Sequence, residues 1–222
     1  MNKNEILSFF IEHPVYFLSI VSSQYPFTEA QLSKYKDVLM WRNISSNSHI
    51  DWSKELISKF SEQIDWYYFT LNPAPFGNPK FLLEFSDRID WKGDYGVEGD
   101  SIVSNTGINW DISLIEQFES KIDFYKLSSC QSVLWSDMLV EKFIHKLDLL
   151  ELACNESFPW TLGLFDKYLG EGYFEHIPVK FNTSIISDVD LIDKYKDQLD
   201  WGYICANSKL PWIERNLLNR WD

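Results

Sequence analysis

Residues 53–66 read SKELISKFSEQIDW, and the way this stretch returns along the chain decides the fold. It closes on Ile64-Asp65-Trp66. Variants of that triplet stand at Ile89-Asp90-Trp91, Ile122-Asp123-Phe124, Leu147-Asp148-Leu149 and Leu199-Asp200-Trp201. With Trp41 and Phe174 added, the third members lie at 41, 66, 91, 124, 149, 174 and 201, in steps of 25, 25, 33, 25, 25 and 27. A recurring step of this size marks a repeat protein, whose units bury their apolar faces on one another.

Other positions keep step with this anchor. Six residues before it stands a ring: Tyr35, Phe60, Phe85, Phe118, Phe143, Tyr168 and Tyr195. Three residues after it stands Ile44, Phe69, Leu127, Leu152, Ile177 or Ile204. A second aromatic follows in Trp52, Trp135, Trp160 and Trp212, and Trp110 arrives eight residues late, which accounts for the step of 33. An Asn precedes it in Asn47, Asn105, Asn155 and Asn207.

Each repeat reads as two helices. Thr28, Ser53, Asp111, Ser136 and Thr161 follow the second aromatic and are N-cap types, able to accept from the open N–H groups of a first turn. Behind Ser53, the spacing of Leu56, Ile57, Phe60 and Ile64 predicts an amphipathic helix of about three turns. The Asp before five of the anchors (Asp65, Asp90, Asp123, Asp148 and Asp200) then caps a second, short helix, and the Asn near its end is expected in the left-handed conformation that stops helices. This predicts an all-α, single-domain solenoid of about seven short helix–helix repeats. Residues 1–27 form an N-terminal cap or partial repeat, 28–212 the repeats with an insert near 93–104, and 213–222 a C-terminal capping helix. The alternative makes the anchor a short strand, giving an α/β leucine-rich-repeat-like horseshoe; YYFTL and YIC carry β-formers that suit it. An anchor and apolar partner three apart fit a helical turn better than a pleat.

Leu147 to Phe165 (LDLLELACNESFPWTLGLF) and Leu199 to Trp212 (LDWGYICANSKLPW) resemble Trp-rich repeats of uncharacterised bacterial proteins, of the LDWxxLSxNPxLPWSxELI kind. The same half is similar to leucine-rich variant repeats, which stack short paired helices. The resemblance implies an architecture and no activity. It lapses at Gly93 to Ser104 and again where Gly172 and Pro178 enter the sixth unit.

Composition narrows the function. Of 222 residues, 45% are apolar and ten are Trp, enough for a core. A balance of 33 acidic to 20 basic residues leaves −13, which argues against nucleic acid or an anionic membrane and for a basic protein partner. Cys130, Cys154 and Cys205 have neither disulfide-framework nor zinc spacing and point to a cytoplasmic setting. Glu12, His13 and Pro14 break the N-terminal apolar stretch, so it does not read as a signal peptide. His13, His49, His145 and His176 share no metal-ligand spacing, and no nucleotide-binding or nucleophile motif occurs. No enzyme, metal or cofactor is expected.

Packing residues recur in a repeat protein, whereas contact residues need not. The insert KGDYGVEGDSIVS is therefore a candidate binding loop through Asp94, Tyr95, Glu98 and Asp100. The two variable residues behind each anchor should form a row along one surface. From that row Tyr67, Tyr68, Lys126, Glu151, Glu175 and Tyr203 complete the predicted partner-binding set. The leading expectation is an acidic immunity or inhibitor protein that neutralises a bacterial toxin. A structural or adaptor scaffold is the alternative, followed by an enzyme using carboxylates of the insert.

Overall fold

The computed structural model describes residues 3–93, 100–169, 189–198 and 201. Among them the chain is all-α: fourteen α-helices, one 3-10 turn, and a lone parallel bridge between Trp110 and Val133 in place of any strand. The C-terminal helix expected at 213–222 lies outside the described residues. Two helices at the N-terminus, α1 (Lys3–Glu12) and α2 (Pro14–Gln24), precede the first full repeat.

The caps are where the sequence puts them. Thr28, Ser53, Asp111, Ser136 and Thr161 each accept from the N–H three residues on, and Thr28 forms a full capping box with Gln31. Asp65, Asp123 and Asp148 cap the second helices, Trp66–Thr70, Phe124–Ser129 and Leu149–Cys154. The strand alternative therefore falls.

The first helices are shorter than the spacing predicts. They run five to seven residues, as in Lys54–Lys59, rather than three turns. Phe60 leaves the helical conformation at φ −108°, ψ 19°, and a tight turn carries the chain to Ile64, whose N–H donates to the Phe60 carbonyl. The anchor indole takes up a carbonyl that a longer helix would have used. Trp41 donates to the Lys36 carbonyl, Trp66 to Ser61, Trp91 to Ser86 and Trp201 to Lys196, each five residues back, at 2.7–3.0 Å. Four anchors thus share one environment.

The core is built between consecutive repeats. Ile44, Phe69, Leu127 and Leu152, three after the anchor, are fully buried. Anchor rings meet the leading ring of the next repeat: Trp41 on Phe60, Trp66 on Phe85, Phe124 on Phe143, with centroids 5.1–5.8 Å apart. Such ring pairs add stability beyond their buried area. Tyr35, the leading ring of the first full repeat, is exposed.

The recurrent Asn does something the sequence reading missed. Asn72, Asn105 and Asn155 are extended, with φ between −71° and −78°, and stop nothing by a left-handed turn. Each is buried and ties its repeat to the one before. The Asn47 amide donates to the carbonyls of Ser22 and Tyr25, Asn72 to Ser45, Asn105 to Thr70 and Asn72, and Asn155 to Ser128 and Cys130, all within 2.6–3.0 Å. Each side-chain oxygen accepts the N–H two residues on. A second ladder runs beside it. Hydroxyls of Ser22, Ser45, Thr70 and Ser128 accept the N–H of Met40, Asp65, Asp90 and Asp148 in the following repeat. Short helices leave many backbone groups without intrahelical partners, and burial makes each of those costly. The ladders satisfy them.

Contacts gather the chain into two compact units, residues 1–109 with 120–122, and residues 110–119 with 123–222. At the boundary both ladder positions change residue type: Val103 stands where Ser45 and Thr70 stand, and Cys130 where the Asn residues stand. In the second unit Trp110 instead forms its bridge through the Ser132 carbonyl and the Leu134 N–H.

Candidate docking surface

In each unit, variable residues behind neighbouring anchors meet across repeats. In the first unit, Tyr67 and Tyr68 are half-buried and pack edge to face at 5.0 Å. The guanidinium of Arg42, at the same place one repeat earlier, lies over the Tyr68 ring at 4.2 Å and hydrogen-bonds its hydroxyl. In the second unit, the Tyr125 hydroxyl donates to Glu151 of the next repeat at 2.7 Å. Tyr125 and Leu150 are exposed, while Lys126 and Glu151 are half-buried. Tyr125 and Leu150 belong to the predicted row but not to the predicted partner-binding set, and Arg42 was in neither. They sit at the same two offsets as their neighbours, and that register was the signal for them.

In the second-unit row, which also holds Lys126, carboxylates act on the Tyr125 ring. The hydrogen bond to Glu151 is the main cause that holds the Tyr125 phenol above its usual range, and the charges of Glu151, Asp148 and Asp123 add to it. Asp123 and Asp148 are fixed in place, each accepting two N–H groups of the helix it caps. An exposed ring thus has three carboxylates around it, two of them fixed by the backbone and the third, Glu151, bound by the Tyr125 hydroxyl.

Cations of the outer face are mostly committed to neighbouring repeats. Lys59 pairs with Glu29 at 2.7 Å, Arg88 with Glu62 at 3.0 Å, Lys146 with Glu119 at 2.6 Å, Lys167 with Glu141 and Lys194 with Asp166 at 2.7 Å, and Lys142 with Glu116. Several of these lysines also lie over the leading ring of their own repeat, as Lys167 does over Tyr168 at 4.9 Å. These exposed bridges set register between repeats more than they add stability.

The insert is described in part. Asp94, Tyr95 and Glu98 lie outside the described residues, as do Glu175 and Tyr203. Asp100 is exposed at the end of the insert. Just after it Ser101 caps the 3-10 turn Ile102–Ser104, and Ile102 is fully buried. Ile102 takes the apolar duty that Asp94 cannot, so the insertion lies inside the second helix of its repeat, between Trp91 and Ile102. Its N–H donates to the Asp90 carbonyl, which closes the loop at its base.

Among the described residues no three His, Cys, Asp or Glu side chains gather as a metal ion would need, and no helix is long and apolar enough to cross a membrane. Cys130 and Cys154 are half-buried thiols, and burial pushes the Cys154 thiol up. No protein-family model, no curated protein and no solved structure matches the chain.

Proposed function

We propose that the chain is a non-catalytic protein-binding module whose partner is basic, and in its sharpest form an immunity protein that covers and neutralises a bacterial toxin. The observation that carries this reading is the Tyr125 surface. An exposed aromatic ring with Leu150 beside it supplies contact area at little entropic cost, and Glu151, Asp148 and Asp123 supply negative charge around it. A lysine or arginine side chain laid over that ring gains both the ring face and the carboxylates. The chain's −13 charge steers such a partner toward it and repels nucleic acid.

The test is calorimetric titration of the full chain with a basic toxin domain encoded beside its gene. Tyr125→Ala combined with Glu151→Gln should weaken binding by at least about tenfold, the expected scale for one hot spot. Binding should also weaken as salt rises. No binding by the wild-type chain, or binding indifferent to both substitutions, would reject the reading.

A further inference from the structure

A large exposed apolar face on a folded chain marks an interaction surface. The helix pair α1 and α2 carries such a face. On α1 and α2, Ile11 is 79% exposed, Val15 68%, Tyr16 55%, Phe17 40% and Phe9 38%. The rings are organised among themselves: Phe9 meets Tyr16 edge to face at 5.9 Å and His13 at 4.6 Å, and Phe10 meets Phe17 at 4.8 Å. Behind them α2 belongs to the ladder, with the Ser22 carbonyl accepting from Asn47 and the Ser22 hydroxyl from Met40. The patch therefore sits on a helix pair that the ladder holds in place.

We propose that this end is an interface with a second copy of the same chain, joined head to head about a two-fold axis. Charge favours that occupant. Residues 3–25 hold only Lys3, Glu5 and Glu12 as formal charges, within a chain of −13, so two copies can meet here without the repulsion that the rest of the surface imposes. A basic partner would find little to pair with here, and an anionic bilayer would repel the body of the chain. Area points the same way. Five large side chains at these exposures present roughly 500 Å² per copy, taking such side chains at about 150–250 Å² each. Joining two such faces buries about 1,000 Å², near the lower bound for a specific, reversible interface. Such a patch equals the largest that a lone soluble chain ordinarily shows. This dimer does not depend on the basic-partner reading, because it uses the opposite kind of surface.

Sedimentation equilibrium of the full chain between about 1 and 100 µM, the range suited to an interface of this size, is the test. The weight-average mass should rise toward twice the monomer. Ile11→Glu with Val15→Glu should hold it at the monomer throughout, with an unchanged circular dichroism spectrum because both residues are already in water. Met138→Glu, on an exposed site elsewhere, should leave dimerisation as it was. A wild-type chain that stays monomeric, or a dimer that survives the double substitution, overturns the proposal. So does co-sedimentation of the wild type, but not the double variant, with phosphatidylcholine or phosphatidylserine vesicles, which would assign the patch to a membrane.

Discussion

The two units solve the same packing problem with different chemistry. In the first, buried polar side chains carry the joins: Asn47, Asn72 and Asn105 on one ladder, Ser22, Ser45 and Thr70 on the other. In the second, Asn155 and Ser128 continue the ladders, while Ala153 and Cys130 stand at other rungs. The second unit's carboxylates at Glu119, Glu141 and Asp166 are held below their usual range, chiefly by hydrogen bonds from Lys146, Lys167 and Lys194. Amides do not titrate and carboxylates do, so the two units should answer differently to mutation and acid.

The largest contrast is expected from Asn105→Leu. It leaves the Thr70 and Asn72 carbonyls and the Gly107 N–H without their partner, each buried or nearly so, at a cost of about 3 kcal/mol or more. Hydrogen exchange read peptide by peptide should show protection lost over residues 1–109 and largely kept over 123–169. Equal loss in both would show that the units do not unfold separately. Gly107→Ala comes next. An added Cβ would collide with the Pro73 carbonyl, 2.9 Å from its carbon, and two backbone segments must part, costing about 1–3 kcal/mol in urea titration. Unchanged stability would mean that the close approach relaxes freely.

Ser128→Ala is smaller, about 1 kcal/mol, and falls in the second unit, where the Asp148 N–H loses its acceptor. Its mark should be loss of exchange protection at the start of the Leu149–Cys154 helix. Acid gives the last test. Because the folded values of Glu119, Glu141 and Asp166 lie below the unfolded ones, their contribution is present above the ordinary carboxylate range. It is lost as pH falls below about 4. The second unit should therefore loosen first on acidification. Earlier loosening of the first unit would show that its ladders are the weaker join.

Local grammar was plain in the chain. A hydroxyl or carboxylate placed just before an apolar-periodic run caps a helix within three residues, and Thr28, Ser53, Asp65 and Asp148 do so. Helix length was not legible, since Ile64 keeps its apolar register whether the chain continues as helix or turns at Phe60. Nor was the row at the candidate surface fully legible. The offsets of Tyr67, Tyr68, Lys126 and Glu151 could be counted, but the meeting of Arg42 with Tyr68 and of Tyr125 with Glu151 requires neighbouring repeats to stand at one height.

The period, the caps and the helical class follow from the amino acids alone, because each depends on residues a turn or so apart. What the Asn residues do was decided only in three dimensions. Their partners lie 22 to 35 residues away, and the same spacing is compatible with a stop signal or a tie. Stacking chose the tie: once two short helices are buried side by side, their end carbonyls have no water, and the side-chain amide of the next repeat is the donor within reach.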